Sequence, residues 1–210
     1  MKKQTIELDE LNFIGKGRHK KTFIFPGDAA KCIKVAYNDN GDDGEVDLLR
    51  EIDYRALRDK QGKTSKMLPA YYGKVSTNKG DGYIFERVVD FDGRTTRTLE
   101  EYLEDEELLQ KNAQIVFEAL REFKKLLFEE RLLTMGIFPE NVLLQRVDED
   151  HYCPRMINDM GCANFIRLEY YFDYFALKKI RRRWTRFYDY LMKKYTYAAA
   201  RELLQKIGRD

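Results

Sequence analysis

Thr134-Met135-Gly136-Ile137-Phe138-Pro139-Glu140-Asn141-Val142-Leu143-Leu144 is the stretch on which the reading of the fold turns. A long helical pattern precedes it: Leu109, Val116, Leu120, Phe123 and Leu127 trace an apolar stripe of roughly helical period through residues 107 to 130. Glu118, Arg121, Glu122, Lys124 and Lys125 flank that stripe, which predicts an amphipathic helix with one face in the core. Further upstream, Thr98-Leu99-Glu100-Glu101 has the form of a capping box and predicts a helix running through Tyr102. Downstream, Val142-Leu143-Leu144 predicts a strand, Gln145 to Pro154 a polar hairpin, and Met156-Ile157 a strand leading into Asp159-Met160-Gly161.

Pro139-Glu140-Asn141 and Asp159-Met160-Gly161 together resemble the catalytic loop and metal-binding loop of the protein-kinase fold, where H-R-D-x-x-x-x-N is followed by D-F-G. The resemblance implies that Asn141 and Asp159, with Asn158 adjacent, hold Mg2+ against nucleotide phosphates, since a hard cation prefers oxygen ligands and keeps several waters. One half of the motif departs. Thr134-Met135-Gly136 stands where His-Arg-Asp is expected, so the position of the catalytic Asp is Gly136, which has no side chain to accept a hydroxyl proton. Phe138 stands where protein kinases commonly carry a phosphate-contacting lysine. Positioning and metal charge supply much of phosphoryl-transfer catalysis, so loss of the base does not by itself abolish turnover. Glu140, Asp148, Glu149 and Asp150 are other carboxylates nearby, and nothing in the sequence puts any of them at a nucleophile. No catalytic residue is assigned.

The N-terminal half is read against the same fold. Leu11 to Ile14, Thr22 to Phe25 and Ala30 to Val35 predict a three-stranded meander around Gly15-Lys16-Gly17-Arg18-His19-Lys20 and the turn Pro26-Gly27-Asp28. Two glycines let a backbone approach a phosphate closely, and Lys16, Arg18, His19, Lys20 and Lys21 add positive potential. Taken alone, Gly-x-Gly is weak evidence and reads more readily as an ordinary hairpin turn. In Cys32-Ile33-Lys34-Val35, alternation puts Cys32 and Lys34 on one face and Ile33 and Val35 on the other. The kinase resemblance makes Lys34 the strand lysine of V-A-I-K, paired with a helix glutamate, for which Glu51 is the first choice and Glu45 the second. Leu48, Leu49, Ile52 and Leu57 set the period of that helix. Leu68 to Val75 and Gly82 to Val89 predict two more strands, and Glu86 to Val89 would be the hinge, with Glu86 and Val88 receiving adenine. Asp90-Phe91-Asp92-Gly93 reads as a turn and not as a metal loop, because it precedes both the long helix and Asn141.

Composition bounds the remainder. Apolar residues at 43% and charged residues at 35% suit a folded globular chain. No run approaches the ~20 apolar residues of a membrane span, which makes a cytoplasmic protein the expectation. Cys32, Cys153 and Cys162 have no C-x-x-C spacing and read as reduced thiols. A net charge of +2 does not make the molecule a general polyanion binder, but Lys178, Lys179, Arg181, Arg182, Arg183 and Arg186 cluster among the aromatic residues of the C-terminal helices. Phe175, Trp184, Phe187 and Leu191 are the expected core positions there. For residues 178–186 an acidic protein partner or an anionic membrane surface is considered beside a plain solvated face, with nucleic acid last.

Gly15-Lys-Gly-Arg-His-Lys-Lys, Lys31-Cys-Ile-Lys-Val, Phe91-Asp-Gly, Thr134-Met, Pro139-Glu-Asn and Trp184-Thr-Arg-Phe together resemble the PhoP regulatory network protein YrbL family. That resemblance implies a kinase-like α+β fold and a link to the regulon of a magnesium-sensing, envelope-stress two-component system. The expected architecture is a five-stranded N-lobe over residues 1–89 and a reduced helical C-lobe over residues 90–210. The expected ligands are ATP and Mg2+, bound through Gly15, Gly17, Arg18, His19, Lys34, Glu51, Glu86 and Val88, with Asn141 and Asp159 on the metal. The expected function is phosphotransfer to an unknown protein or small-molecule acceptor, the alternative being a pseudokinase that acts as a binding or regulatory module.

Overall fold

The computed structural model describes residues 5–17, 19–37, 44–164 and 166–209. They combine a five-stranded antiparallel sheet, a two-stranded hairpin and five α-helices among the described residues. The chain divides into two compact units, one formed by Met1–Ala56 with Pro69–Val88, the other by Leu57–Leu68 with Val89–Asp210.

In the first unit, β1 (Phe13–Lys16), β2 (Lys20–Ile24), β3 (Lys31–Ala36), β4 (Tyr71–Thr77) and β5 (Gly80–Glu86) line up in the order β1-β2-β3-β5-β4. Helix α1 (Gly44–Lys60) falls in sequence between β3 and β4. Alternation along β3 decides which side chain meets which layer. Ile33 and Val35 pack with Leu8, Phe23 and Ile84 on one face, and Cys32 packs with Leu48 of α1, Tyr83 and Phe85 on the other. Both faces are therefore covered, which is why β3 is buried over four consecutive residues. The expected first strand starts two residues late. The Asp9 carboxylate accepts from the Leu11 and Asn12 N–H groups and winds Glu10–Asn12 into a 3-10 turn, leaving Leu11 91% exposed.

In the second unit, α2 (Leu99–Glu104) leads into α3 (Glu106–Glu129), then the hairpin β6 (Val142–Arg146) and β7 (Tyr152–Met156), then α4 (Asp173–Lys194) and α5 (Ala198–Ile207). The predicted stripe of α3, Leu109, Val116, Leu120, Phe123 and Leu127, is fully buried. Trp184, Phe187 and Leu191 of α4 are buried as expected, whereas Phe175 is exposed. The buried register of α4 runs Ala176, Ile180, Trp184, Phe187, Leu191, and Phe175 lies off that line. Asp90-Phe91-Asp92-Gly93 is a structural corner: the Asp90 carboxylate accepts from Thr96 Oγ1 and from the Arg146 N–H of β6.

The capping box at Thr98 is formed in full, with the Thr98 hydroxyl accepting from Glu101 N–H and the Glu101 carboxylate accepting from Thr98 N–H. Thr98→Ala removes one of the two caps and is expected to lower stability by about 1 kcal/mol in urea unfolding followed by circular dichroism.

Candidate functional site

In the first unit the sheet and α1 bring Lys34 and Glu51 together. Lys34 Nζ lies 3.9 Å from Glu51 Oε1, and both side chains are almost fully buried. The ammonium also sits 4.5 Å above the centre of the Phe85 ring. Burial pushes the Lys34 pKa down, against the pull of Glu51. Burial alone would push Glu51 up, but the Lys34 and Arg55 cations outweigh it and hold the carboxyl below its ordinary value. Arg55 was not among the expected site residues. Its Nη2 donates to the same Glu51 Oε1 at 2.9 Å while Nη1 donates to the Pro69 carbonyl at 2.6 Å. The second carboxylate oxygen, Glu51 Oε2, is buried with no hydrogen-bond partner among the described residues. Glu45, the second choice, instead accepts from the Tyr83 hydroxyl at 2.6 Å and lies 3.7 Å from Lys74.

The glycine turn lies on the first two strands of the same sheet. Gly15 pairs with Thr22, and Gly17 N–H donates to the Lys20 carbonyl at 2.8 Å to close the turn. Neither glycine has a left-handed backbone. A Cβ on Gly15 would meet nothing within 4 Å, and one on Gly17 only the Lys20 carbonyl at 3.8 Å. The packing of this unit thus places no demand for glycine at either position. His19 lies beside that turn, its carbonyl accepting from Tyr37 N–H at 3.1 Å; Arg18 lies outside the described residues. At the end of β5, Glu86 N–H donates to the Ala70 carbonyl at 2.8 Å, and the Glu86 carboxylate accepts from Ala70 N–H at 3.0 Å. Val88, two residues on, immediately precedes the antiparallel bridge of Val89 with Thr95.

In the second unit the two loops singled out by sequence are stitched to each other. Thr134 and Met160 form an antiparallel bridge, Met135 N–H donates to the Asp159 carbonyl at 2.8 Å, and Gly161 N–H donates to the Leu133 carbonyl at 2.9 Å. The buried Thr134 hydroxyl lies within hydrogen-bond distance of the Asp159 and Gly136 carbonyls. Asp159 itself has φ +65, a left-handed conformation that aspartate tolerates better than most residues. Asn141 ends the 3-10 turn Pro139–Asn141, whose leading proline pre-sets the backbone. From there Asn141 Nδ2 donates to Asp159 Oδ2 at 2.7 Å, and Asn158 Nδ2 donates to Asn141 Oδ1 at 2.9 Å.

Asn141 and Asp159 carry oxygens of the kind a hard divalent cation takes, but Asn141 turns its amide nitrogen to Asp159 and its amide oxygen to Asn158, so the amide would have to rotate to share a cation with the carboxylate. No group of three His, Cys, Asp or Glu side chains that could hold a metal occurs among the described residues. Two protein ligands with water or phosphate oxygens completing the shell is the arrangement magnesium favours. A Cβ added at Gly136 would lie 2.5 Å from Cε2 of the Phe138 ring. The ring covers the space a side chain at 136 would enter. Glu140 is exposed, and Asp148 is engaged in the β6–β7 turn, accepting from Asp150 N–H, His151 N–H and the His151 ring. His151 is accordingly raised, and Asp148 lowered, from their ordinary values.

The C-terminal basic run is not one surface. Lys179 is buried against Glu169 at 2.9 Å, and Arg183 is half-buried, which leaves Lys178, Arg181, Arg182 and Arg186 exposed. Cys32, Cys153 and Cys162 are all free thiols. Among the described residues no helix is long and apolar enough to cross a membrane.

Comparison with known proteins adds the lineage. "Uncharacterized protein YrbL" of Escherichia coli (strain K12) and its namesake in Shigella flexneri are each 34% identical to this chain over 182 residues, covering 87% of it and 86% of each relative. The family described as PhoP regulatory network protein YrbL matches residues 6–192, a span that includes Lys34, Glu51, Asn141 and Asp159. The chain belongs to the PhoP regulatory network protein YrbL family.

Proposed function

We propose that the chain is an ATP- and magnesium-binding protein on a protein-kinase-like, two-lobed scaffold, with a five-stranded first lobe and a reduced helical second one. The observation that carries this reading is the buried apposition of Lys34 on β3 with Glu51 on α1. A lysine rarely enters a protein interior without a task, and this one has a carboxylate within reach. In the proposed roles Lys34 contacts the α and β phosphates and Glu51 orients it. Gly15 and Gly17, with Arg18 and His19 beside them, cover the phosphates, the open space over both glycines being free for a ligand to fill. Val88 offers adenine its backbone N–H, whereas Glu86 already spends its N–H on Ala70. Asn141 and Asp159 supply oxygens to magnesium, which when bound neutralises phosphate charge. Phosphoryl transfer to a protein or small-molecule acceptor, within the response its family description links to PhoP, is the fullest form of this proposal.

A second reading has its own observation. The Phe138 ring lying against Gly136 favours a pseudokinase that keeps the nucleotide and serves as a binding module. Both readings predict nucleotide binding.

The test is a thermal-shift titration with ATP, with and without magnesium, on the natural chain, Lys34→Met and Asp159→Ala. A ligand that binds only the folded state adds about 2.7 kcal/mol at a hundredfold excess over its Kd. A magnesium-dependent rise in Tm that both variants lose is the expected result. No rise in the natural chain under any condition would end the nucleotide reading.

A further inference from the structure

Six large apolar or aromatic side chains are exposed within ten positions: Ile166 (68%), Leu168 (39%), Tyr171 (67%), Phe172 (55%), Tyr174 (69%) and Phe175 (39%). Scattered exposed hydrophobics are normal, whereas a contiguous group of this size marks an interaction surface. The rings touch one another edge-on, Tyr174 to Phe175 at 5.4 Å and Phe172 to Phe175 at 6.3 Å between centroids. Immediately after them α4 turns Lys178, Arg181, Arg182 and Arg186 to solvent. Ile166, Leu168 and Phe175 meet Lys178 and Arg182 around an open groove of about 360 Å³.

The charge on this face is not cancelled locally. Glu169 is neutralised by Lys179 at 2.9 Å, Asp173 by Arg131 at 3.4 Å, and Asp189 by Arg209 at 2.8 Å. None of the four exposed cations takes part in an ion pair among the described residues. Every acid beside the patch thus has its own cation, and the patch keeps four unspent positive charges. A polyanion that presents only phosphates or carboxylates would use the cations and leave the rings in water. A lipid surface uses both, because aromatic rings settle at the headgroup boundary while Lys and Arg stems reach to the phosphates.

We propose that residues 166–186 form a peripheral docking surface for an anionic lipid bilayer. Tyr171, Phe172, Tyr174 and Phe175 enter the headgroup region, and Lys178, Arg181, Arg182 and Arg186 hold the lipid phosphates. This surface is independent of the proposed nucleotide residues, so it stands or falls separately.

The experiment is co-sedimentation of the full chain with vesicles of phosphatidylcholine alone and of phosphatidylcholine mixed with phosphatidylglycerol. The chain should partition onto the mixed vesicles only, less so as salt rises. Each cation near an anionic surface contributes about 1 kcal/mol, so Lys178→Glu with Arg182→Glu should weaken partitioning at least about tenfold. Phe172→Ser with Tyr174→Ser should weaken it several-fold and leave its salt dependence in place. All four positions are exposed, so the melting temperature of each variant should match the natural chain. Failure to bind mixed vesicles at low salt would overturn the proposal, as would undiminished binding by the charge variant. Binding that the aromatic variant retains in full, and that inorganic polyphosphate abolishes, would also overturn it by showing a polyanion site.

Discussion

Glu51→Ala is expected to destabilise the chain by about 3–5 kcal/mol, the cost of removing one member of a buried ionic group and stranding the others. Glu51 is the only anion paired with two buried cations, Arg55 at 2.9 Å and Lys34 at 3.9 Å, among the described residues. Without it Lys34 loses this carboxylate, and the buried Arg55 loses its ion pair while keeping its bond to the Pro69 carbonyl. The converse substitution behaves differently. Lys34→Met leaves Glu51 bonded to Arg55 and replaces a buried ammonium with an apolar chain of similar length, so about 1 kcal/mol or less is expected. That asymmetry is what makes Lys34→Met a clean probe of nucleotide binding. Urea unfolding followed by circular dichroism measures both variants. The acid limb separates them further. Because the Glu51 carboxyl is held below its ordinary value of 4.5, its contribution is complete above that pH and is lost as pH falls through the lower folded-state value. Glu51→Ala should therefore flatten the loss of stability on acidification, and an unchanged acid limb would show that the carboxylate carries no such linkage.

Trp184→Ala is expected to cost about 3–5 kcal/mol in the second unit, as large aromatic truncations in a packed core do. Trp184 is 1% exposed, its ring centroid 5.7 Å from that of Phe187, which in turn lies 6.4 Å from Phe123 of α3. Lys124 Nζ sits 5.1 Å over the indole and donates to the Ile207 and Gly208 carbonyls at the end of α5. The indole therefore lies where three helices converge. Trp184→Phe should lose less, since much of the ring volume survives. The chain has a single tryptophan, so far-UV circular dichroism has to follow these variants, while indole fluorescence in the natural chain reports on the second unit alone.

Much of this was legible in one sequence. The alternation of Lys31 to Val35 placed Lys34 opposite Ile33 and Val35, and the five apolar positions of α3 read directly as core. Both depend on local periodicity, which a single sequence carries. Arg55 had a visible signal that went unused: it stands four positions after Glu51 on a predicted helix, the spacing at which opposite charges meet. The burial of Lys179 had no such signal, because its partner Glu169 lies ten residues away in the 3-10 turn Leu168–Tyr170. Nor could the stitching of Thr134 to Met160 be read from pattern, since it joins loops 26 positions apart through backbone and one hydroxyl.

The contact between Gly136 and Phe138 makes these two positions mutationally linked. A side chain introduced at 136 alone would have to move the Phe138 ring aside, while a smaller residue at 138 would open that space. A side chain at 136 is accommodated most readily where the residue at 138 is small. Sequence drift within this lineage is therefore expected to couple the two positions, with side chains at 136 accompanying the loss of the aromatic ring two residues later.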